Sequence, residues 1–220
     1  MIAFVLQAPV VRWRGRPRLE VRLAEVTAAA SGSRRSELLA IAAGLFAQRG
    51  FKNTTVRDIA DAAGILSGSL YHHFDSKESI VDELLDSFQR SLWEEYDAIE
   101  ASDRTPREKL EAVVRASFDA IDRNHSEVAI FQTDAAYLAG FERFAYLGER
   151  NTRFRTLWTG LLTEGVKSGE LRSDLDVELV YRFLRDTVWV AVRWYRPGGD
   201  LSPAQVADQY LHILLDGIAT

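Results

Sequence analysis

The sequence predicts an all-α fold of about nine helices, and three observations predict it. No stretch alternates apolar and polar residues between turn formers, as a half-buried strand would. Apolar residues instead recur three and four positions apart over long runs. The five prolines sit at segment edges or in the N-terminal tail, where they do not interrupt those runs. A chain of 220 residues buries roughly 70% of its unfolded surface, so it folds without the disulfides that its lack of cysteine denies it.

Residues 1–32 have no helical period and are read as a flexible basic extension that ends in Ser31-Gly32-Ser33. The first helix is expected over residues 34–49, with Leu38, Ile41, Ala42, Leu45 and Phe46 on one stripe and Gly50 as its stop. A long amphipathic stretch from Ser76 to Ala101 carries Ile80, Leu84, Phe88, Trp93 and Ile99. Helices then start at Thr105-Pro106 and at His125. Another runs from about Phe141 to Lys167, before Gly169. Asp174 to Tyr195 forms the next, closed by Arg196-Pro197-Gly198-Gly199, and the last runs from Ser202-Pro203 to near Ile218.

Between the first helix and the long one lies a compact unit near residues 55 to 73. Thr55 with Asp58 three residues later makes a capping-box start, and Ile59, Ala62 and Ala63 give the short helix an inward face. Gly64 permits a tight left-handed turn. A second short helix is expected from Ser67 to His73. Two short helices hinged at a glycine, the second opening with small polar residues, have the geometry that seats a helix in the DNA major groove. Gly68 lets backbone approach a duplex, Ser67 and Ser69 are short enough for base edges or phosphates, and Tyr71 and His72 reach the flanking backbone. Lys77 adds a phosphate contact. The alternative is a helical hairpin with Tyr71, His72 and His73 at a packed surface.

Charge is unevenly distributed. Residues 1–77 carry 11 Lys/Arg against 6 Asp/Glu, net +5, whereas residues 78–220 carry 16 against 26, net −10. A basic end on an acidic body suits a protein that meets phosphate backbone at one end only, although a protein with merely uneven charge would also show it. The longest apolar run, Ile2 to Val11, is about half the twenty residues a spanning helix needs. Arg12, Arg14, Arg16 and Arg18 follow that run rather than precede it, against the order of a secretory signal. A cytoplasmic, nucleoid-associated protein without a membrane partner is expected. No pair among His72, His73, His125 and His212 has metal-ligand spacing, and neither a nucleophile elbow nor a phosphate-cradling glycine loop occurs. Hence no catalytic residue, metal site or cofactor is expected.

The stretch from Thr54 to Lys77, TTVRDIADAAGILSGSLYHHFDSK, resembles the DNA-binding signature of the TetR family of bacterial repressors. The resemblance implies a three-helix DNA-binding domain at residues 33–79, a ligand-binding and dimerisation domain at residues 80–220, and a homodimer joined through the last two long helices. It also implies double-stranded operator DNA as a partner, contacted by Thr55, Leu66, Ser67, Gly68, Ser69, Tyr71, His72 and Lys77. Many members have serine where this chain has Leu66 and lysine where it has Ser67. That departure leaves open which residue caps the second helix, and it makes Leu66 an apolar contact for a thymine methyl. Asp174 to Gly199, DLDVELVYRFLRDTVWVAVRWYRPGG, is similar to the family's regulators of steroid-ring catabolism. They imply an effector that is the coenzyme A thioester of a steroid-derived ring fragment.

The residues bear on that effector independently. Val177, Val180, Tyr181, Leu184, Val188, Ala191 and Val192 supply an apolar stripe, while Arg182, Arg185, Trp189, Arg193 and Arg196 follow at spacings of 3, 4, 4 and 3 on another face. Guanidinium groups bind phosphates and carboxylates, and an indole stacks on an adenine or covers a ring. Equally, these arginines pair with Glu178, Asp186 or acids across a dimer interface. The resemblance, matched at Arg185 and Trp189, singles those two out. Phe118, Phe131, Tyr137, Phe141, Phe144, Tyr146, Phe154 and Trp158 wall a cavity or are plain core. Arg14-Gly15-Arg16-Pro17-Arg18 has the composition of a minor-groove arm, or of an unstructured basic tail. The rival reading of the whole chain is a helical enzyme or carrier that handles acyl-CoA without binding DNA.

Overall fold

A computed structural model describes residues 34–218. Residues 1–32, including the arginine-rich arm, lie outside the described residues. Among these there are nine α-helices and no strand. Helix α1 (Arg34–Arg49) buries Leu38, Ala42 and Phe46, spaced four apart, and Gly50 ends it at φ 81° by donating its N–H to the Phe46 carbonyl at 2.8 Å. Helix α2 (Val56–Ala62) starts with a reciprocal cap. The Asp58 N–H donates to Thr55 Oγ1 at 3.1 Å, and the Thr55 N–H donates to the Asp58 carboxylate at 2.8 Å. Gly64 turns the chain at φ 66° into α3 (Ser67–Leu70).

Helix α4 (Lys77–Glu100) is capped by Ser76 and Ser79, and α5 (Pro106–Arg123) by Thr105 and Glu108 with Pro106 in its first turn. Helix α6 (His125–Leu138) and a short 3-10 turn at Glu142–Phe144 lead to α7 (Tyr146–Ser168), which Gly169 closes at φ 78°. Helix α8 (Val177–Val190), capped by Asp176, runs into a 3-10 turn at Ala191–Arg193, and α9 (Pro203–Ile218) is the last.

Helix α5 is the central rod of the larger core. Leu110, Val113, Val114 and Ile121 on it are fully buried, and it touches α4, α6, α7, α8 and α9. A second core joins α1 to α3 with the first half of α4, and it also takes in Ile130, Leu138, Phe144 and Leu147 from α6, the 3-10 turn and α7. The N-terminal helices are therefore packed against the following domain. Helix α4 threads both cores, with Ile80, Val81, Leu84 and Leu85 in one and Phe88, Leu92, Trp93 and Tyr96 in the other.

Four elements differ from the sequence reading. Regular α3 stops at Leu70, three residues before the expected His73, because Leu70 and Phe74 are both buried and the chain between them closes through tighter bonds, His72 to Ser69 and His73 to Leu70. On α2 the inward residues are Ile59 and Ala60, while Ala62 is exposed. Helix α7 begins at Tyr146 rather than Phe141, since the chain first makes a 3-10 turn that buries Phe144. Helix α8 is shorter at both ends than Asp174 to Tyr195, for Asp176 caps it and it tightens to 3-10 after Val190.

Candidate nucleic-acid interface and ligand cavity

The turn and second helix of the α2–α3 unit present their side chains outward. Leu66 is 80% exposed and Tyr71 56% exposed, Gly68 and His72 are also exposed, and Ser67 and Ser69 are half-buried. Leu70, between them, is buried and fixes the helix to the core. Leu66 occupies the N-cap position of α3 and supplies no side-chain cap, so the first N–H groups of that helix stay available to an outside acceptor such as phosphate. A β-carbon built on Gly68 would meet nothing within 4 Å. Thr55 is exposed and holds the α2 cap. Lys77 is drawn inward: its Nζ donates to the Phe51 carbonyl at 2.7 Å and lies 4.1 Å from the centre of the Phe51 ring.

Behind this unit, four helices line a mainly apolar cleft whose free interior is about 80 Å³, below the usual size of small-molecule sites, so a ligand must widen it. Helix α4 contributes Phe88, Gln89, Leu92 and Trp93, α6 contributes Phe131 and Gln132, α7 contributes Arg150, Asn151 and Phe154, and α8 contributes Arg185 and Trp189. The Trp189 ring packs edge-on against Phe88 and Phe154, at 6.2 and 5.9 Å between centroids. Its indole Nε1 is buried and has no hydrogen-bond partner among the described residues, a cost of about 1–3 kcal/mol. Arg185 donates through Nε to the Asp186 carboxylate at 2.7 Å, which raises its already high pKa and keeps it charged.

Of the five residues singled out on the arginine-bearing face, the cleft gathers Arg185 and Trp189. Arg182, Arg193 and Arg196 are exposed and outside its lining. Arg193 and Arg196 leave the stripe because the 3-10 turn at Ala191–Arg193 advances each residue by about 120° instead of 100°, and Arg196 folds back so that its Nη1 donates to the carbonyls of Arg193 and Tyr195. Among the aromatics, Phe131 and Phe154 reach the wall, whereas Phe118, Phe144 and Trp158 are core. Sequence reading missed Phe88, Trp93, Gln89, Arg150 and Asn151 as wall residues. An arginine at 150, one helical turn before Phe154 on α7, was the available signal for that helix.

Comparison with known proteins agrees with this layout. The family description "Bacterial regulatory proteins, tetR family" matches residues 38–84, and "Tetracyclin repressor-like, C-terminal domain" matches residues 103–218. The chain is 61% identical over 197 residues to the HTH-type transcriptional repressor KstR2 of Rhodococcus jostii, covering 90% of this chain and 96% of that one. The structure of the ketosteroid transcriptional regulator KstR2 of Mycobacterium tuberculosis superposes with a TM-score of 0.84 at 54% identity, covering 87% of this chain and 97% of that one. AibR, solved in complex with isovaleryl coenzyme A and operator DNA, shares the fold with a TM-score of 0.71 at 23% identity, over 82% and 97% of the two chains. The chain belongs to the TetR family and is a DNA-binding transcriptional repressor of that type, not an enzyme.

Proposed function

We propose that this repressor controls genes for steroid-ring catabolism and leaves its operator when the cleft between α4, α6, α7 and α8 takes up the coenzyme A thioester of a steroid-derived ring fragment. The observation that carries the reading is the pairing of Arg185 with Trp189 on one wall of an aromatic cleft, a cation for an anionic ligand beside an indole for a ring. The high identity to KstR2, the ketosteroid transcriptional regulator, supports the steroid class. AibR, which has the same fold, was solved with isovaleryl coenzyme A, and this supports a coenzyme A thioester as the class of effector.

On the DNA side, the recognition surface comprises Leu66, Ser67, Gly68, Ser69, Tyr71 and His72, flanked by Thr55; Lys77 reaches a phosphate only by giving up the Phe51 carbonyl. A homodimer sets two such surfaces about 34 Å apart on successive major grooves of a pseudo-palindromic site. Ligand favours a form in which that separation is lost. Moving the population from 99% DNA-competent to 1% requires a preference of about 5.5 kcal/mol for the released form.

The experiment is operator binding by the full chain, titrated with the thioester, for the parent and for Arg185→Met and Trp189→Leu. Both substitutions should blunt release while leaving ligand-free operator affinity within about twofold. An undiminished ligand response in both would refute the assignment.

A further inference from the structure

Arg150 has two faces. It belongs to the lining of the cleft, and it is also the hub of a polar network that runs away from the cleft along α4 toward the DNA-binding helices. Its Nη2 donates to Asp86 Oδ1 at 2.6 Å and its Nη1 to Gln89 Oε1 at 3.3 Å, both on α4. Its guanidinium stacks 4.4 Å from the centre of the Tyr146 ring, and the Tyr146 hydroxyl donates to Asp82 Oδ1 at 2.9 Å, one turn further along α4. Arg143 pairs with the same Asp82 at 3.4 Å. Beside Asp82, Glu83 pairs with Arg35 of α1. The first half of α4 is thus tied to α7 on one side and to α1 on the other, and one end of the chain of ties opens into the cleft.

These contacts place a charged group where a ligand and α4 compete for it. Arg150 is half-buried, and the guanidinium holds the Asp86 carboxyl below the ordinary carboxylate range. Asp86 has a second cation, Arg90 on its own helix at 2.7 Å, so it retains a partner when Arg150 turns away. Gln89, which accepts from Arg150, is 5% exposed and is another wall residue, so the network of Arg150 includes the cleft lining itself.

We propose that Arg150 binds an oxyanion of the effector and, in doing so, releases Asp86, so that occupation of the cleft is passed to α4 and the DNA-binding helices as the loss of the α7–α4 tie. The proposal rests on the effector reading above and deepens it. By linkage, whatever holds the DNA-competent form must oppose the ligand, and the two variants that cut the tie should differ in sign. Asp86→Asn frees Arg150 for the ligand; Arg150→Met removes both the tie and the ligand contact.

The test uses the full chain, DNA flanking its own gene, and two probes, a steroid-fragment acyl-CoA thioester and the corresponding free acid. Ligand affinity is read by calorimetry and operator affinity by fluorescence anisotropy. Asp86→Asn should bind operator about tenfold more weakly without ligand and bind the thioester several-fold more tightly. Arg150→Met should weaken operator binding to the same degree and weaken thioester binding as well. Arg90→Ala, which leaves the contact across to α7 intact but takes the second cation from the released Asp86, should neither weaken operator binding nor tighten thioester binding. Release by the thioester alone identifies the oxyanion as a coenzyme A phosphate; release by the free acid, whose carboxylate the thioester lacks, makes the acid the ligand of Arg150 and refutes the thioester reading. The proposal is overturned if Asp86→Asn keeps the parent's operator and ligand affinities, or if Arg90→Ala reproduces its effect. A parent complex that neither probe dissociates refutes the effector reading instead, and the ligand-free operator affinity of Asp86→Asn still decides whether the tie holds the DNA-competent form.

Discussion

At Gly68 the free protein has room for a methyl group, since a β-carbon there meets nothing within 4 Å. Alanine in a helix is favoured over glycine by up to about 1 kcal/mol, so Gly68→Ala should leave the melting temperature unchanged or raise it. If the space over Gly68 is where a duplex sits, the same substitution should weaken operator binding about tenfold, and unchanged affinity would remove Gly68 from the interface. Gly64 is the opposite case. Its φ of 66° is a left-handed conformation in which any β-carbon is strained, whatever the space around it. Gly64→Ala should cost about 1–2 kcal/mol and lower the melting temperature by roughly 2–8 °C in a protein of this size, which a thermal scan measures.

The elements were legible where a local signal fixes them. Thr55 with Asp58, Thr105-Pro106 with Glu108, and the glycines at 50, 64 and 169 each satisfy helix-terminal groups from a few residues away, so the sequence marks them directly. Thr105→Ala tests one such signal. It removes the cap of the central helix at a cost of about 1 kcal/mol, and it should lower the melting temperature while operator affinity at 25 °C stays the same. Where long-range packing decides, the sequence was silent. The end of α3 depends on Leu70 and Phe74 both reaching the core, and no repeat in Ser67 to Phe74 announces the tighter turns between them. The arginine spacing from 182 to 196 assumed one continuous helix, and the 3-10 turn after Val190 broke the face in two. The cleft was the least legible feature, because Phe88, Phe131, Arg150 and Trp189 come from four helices spread over about a hundred residues.

For the whole molecule, the placement of apolar surface matters most. On α8, Leu179 is 47% and Phe183 63% exposed, one turn apart, and on α9 Ile213 is 67% exposed. Exposed side chains of that size on the last two helices fit a homodimer joined there, as the family resemblance implies. Phe183→Glu should convert the proposed dimer to monomer in sedimentation and, with only one recognition helix per particle, weaken operator binding by more than tenfold; a monomeric parent would contradict this arrangement. The central claim is that α2 and α3 of two subunits read one duplex together. Its most direct measurement is a hydroxyl-radical footprint of the full chain on DNA flanking its own gene, with and without the steroid-fragment thioester. The account predicts two protected half-sites whose centres lie one helical turn, about 34 Å, apart, and their loss when the thioester is added. A single unpaired patch of protection, or none, would contradict it.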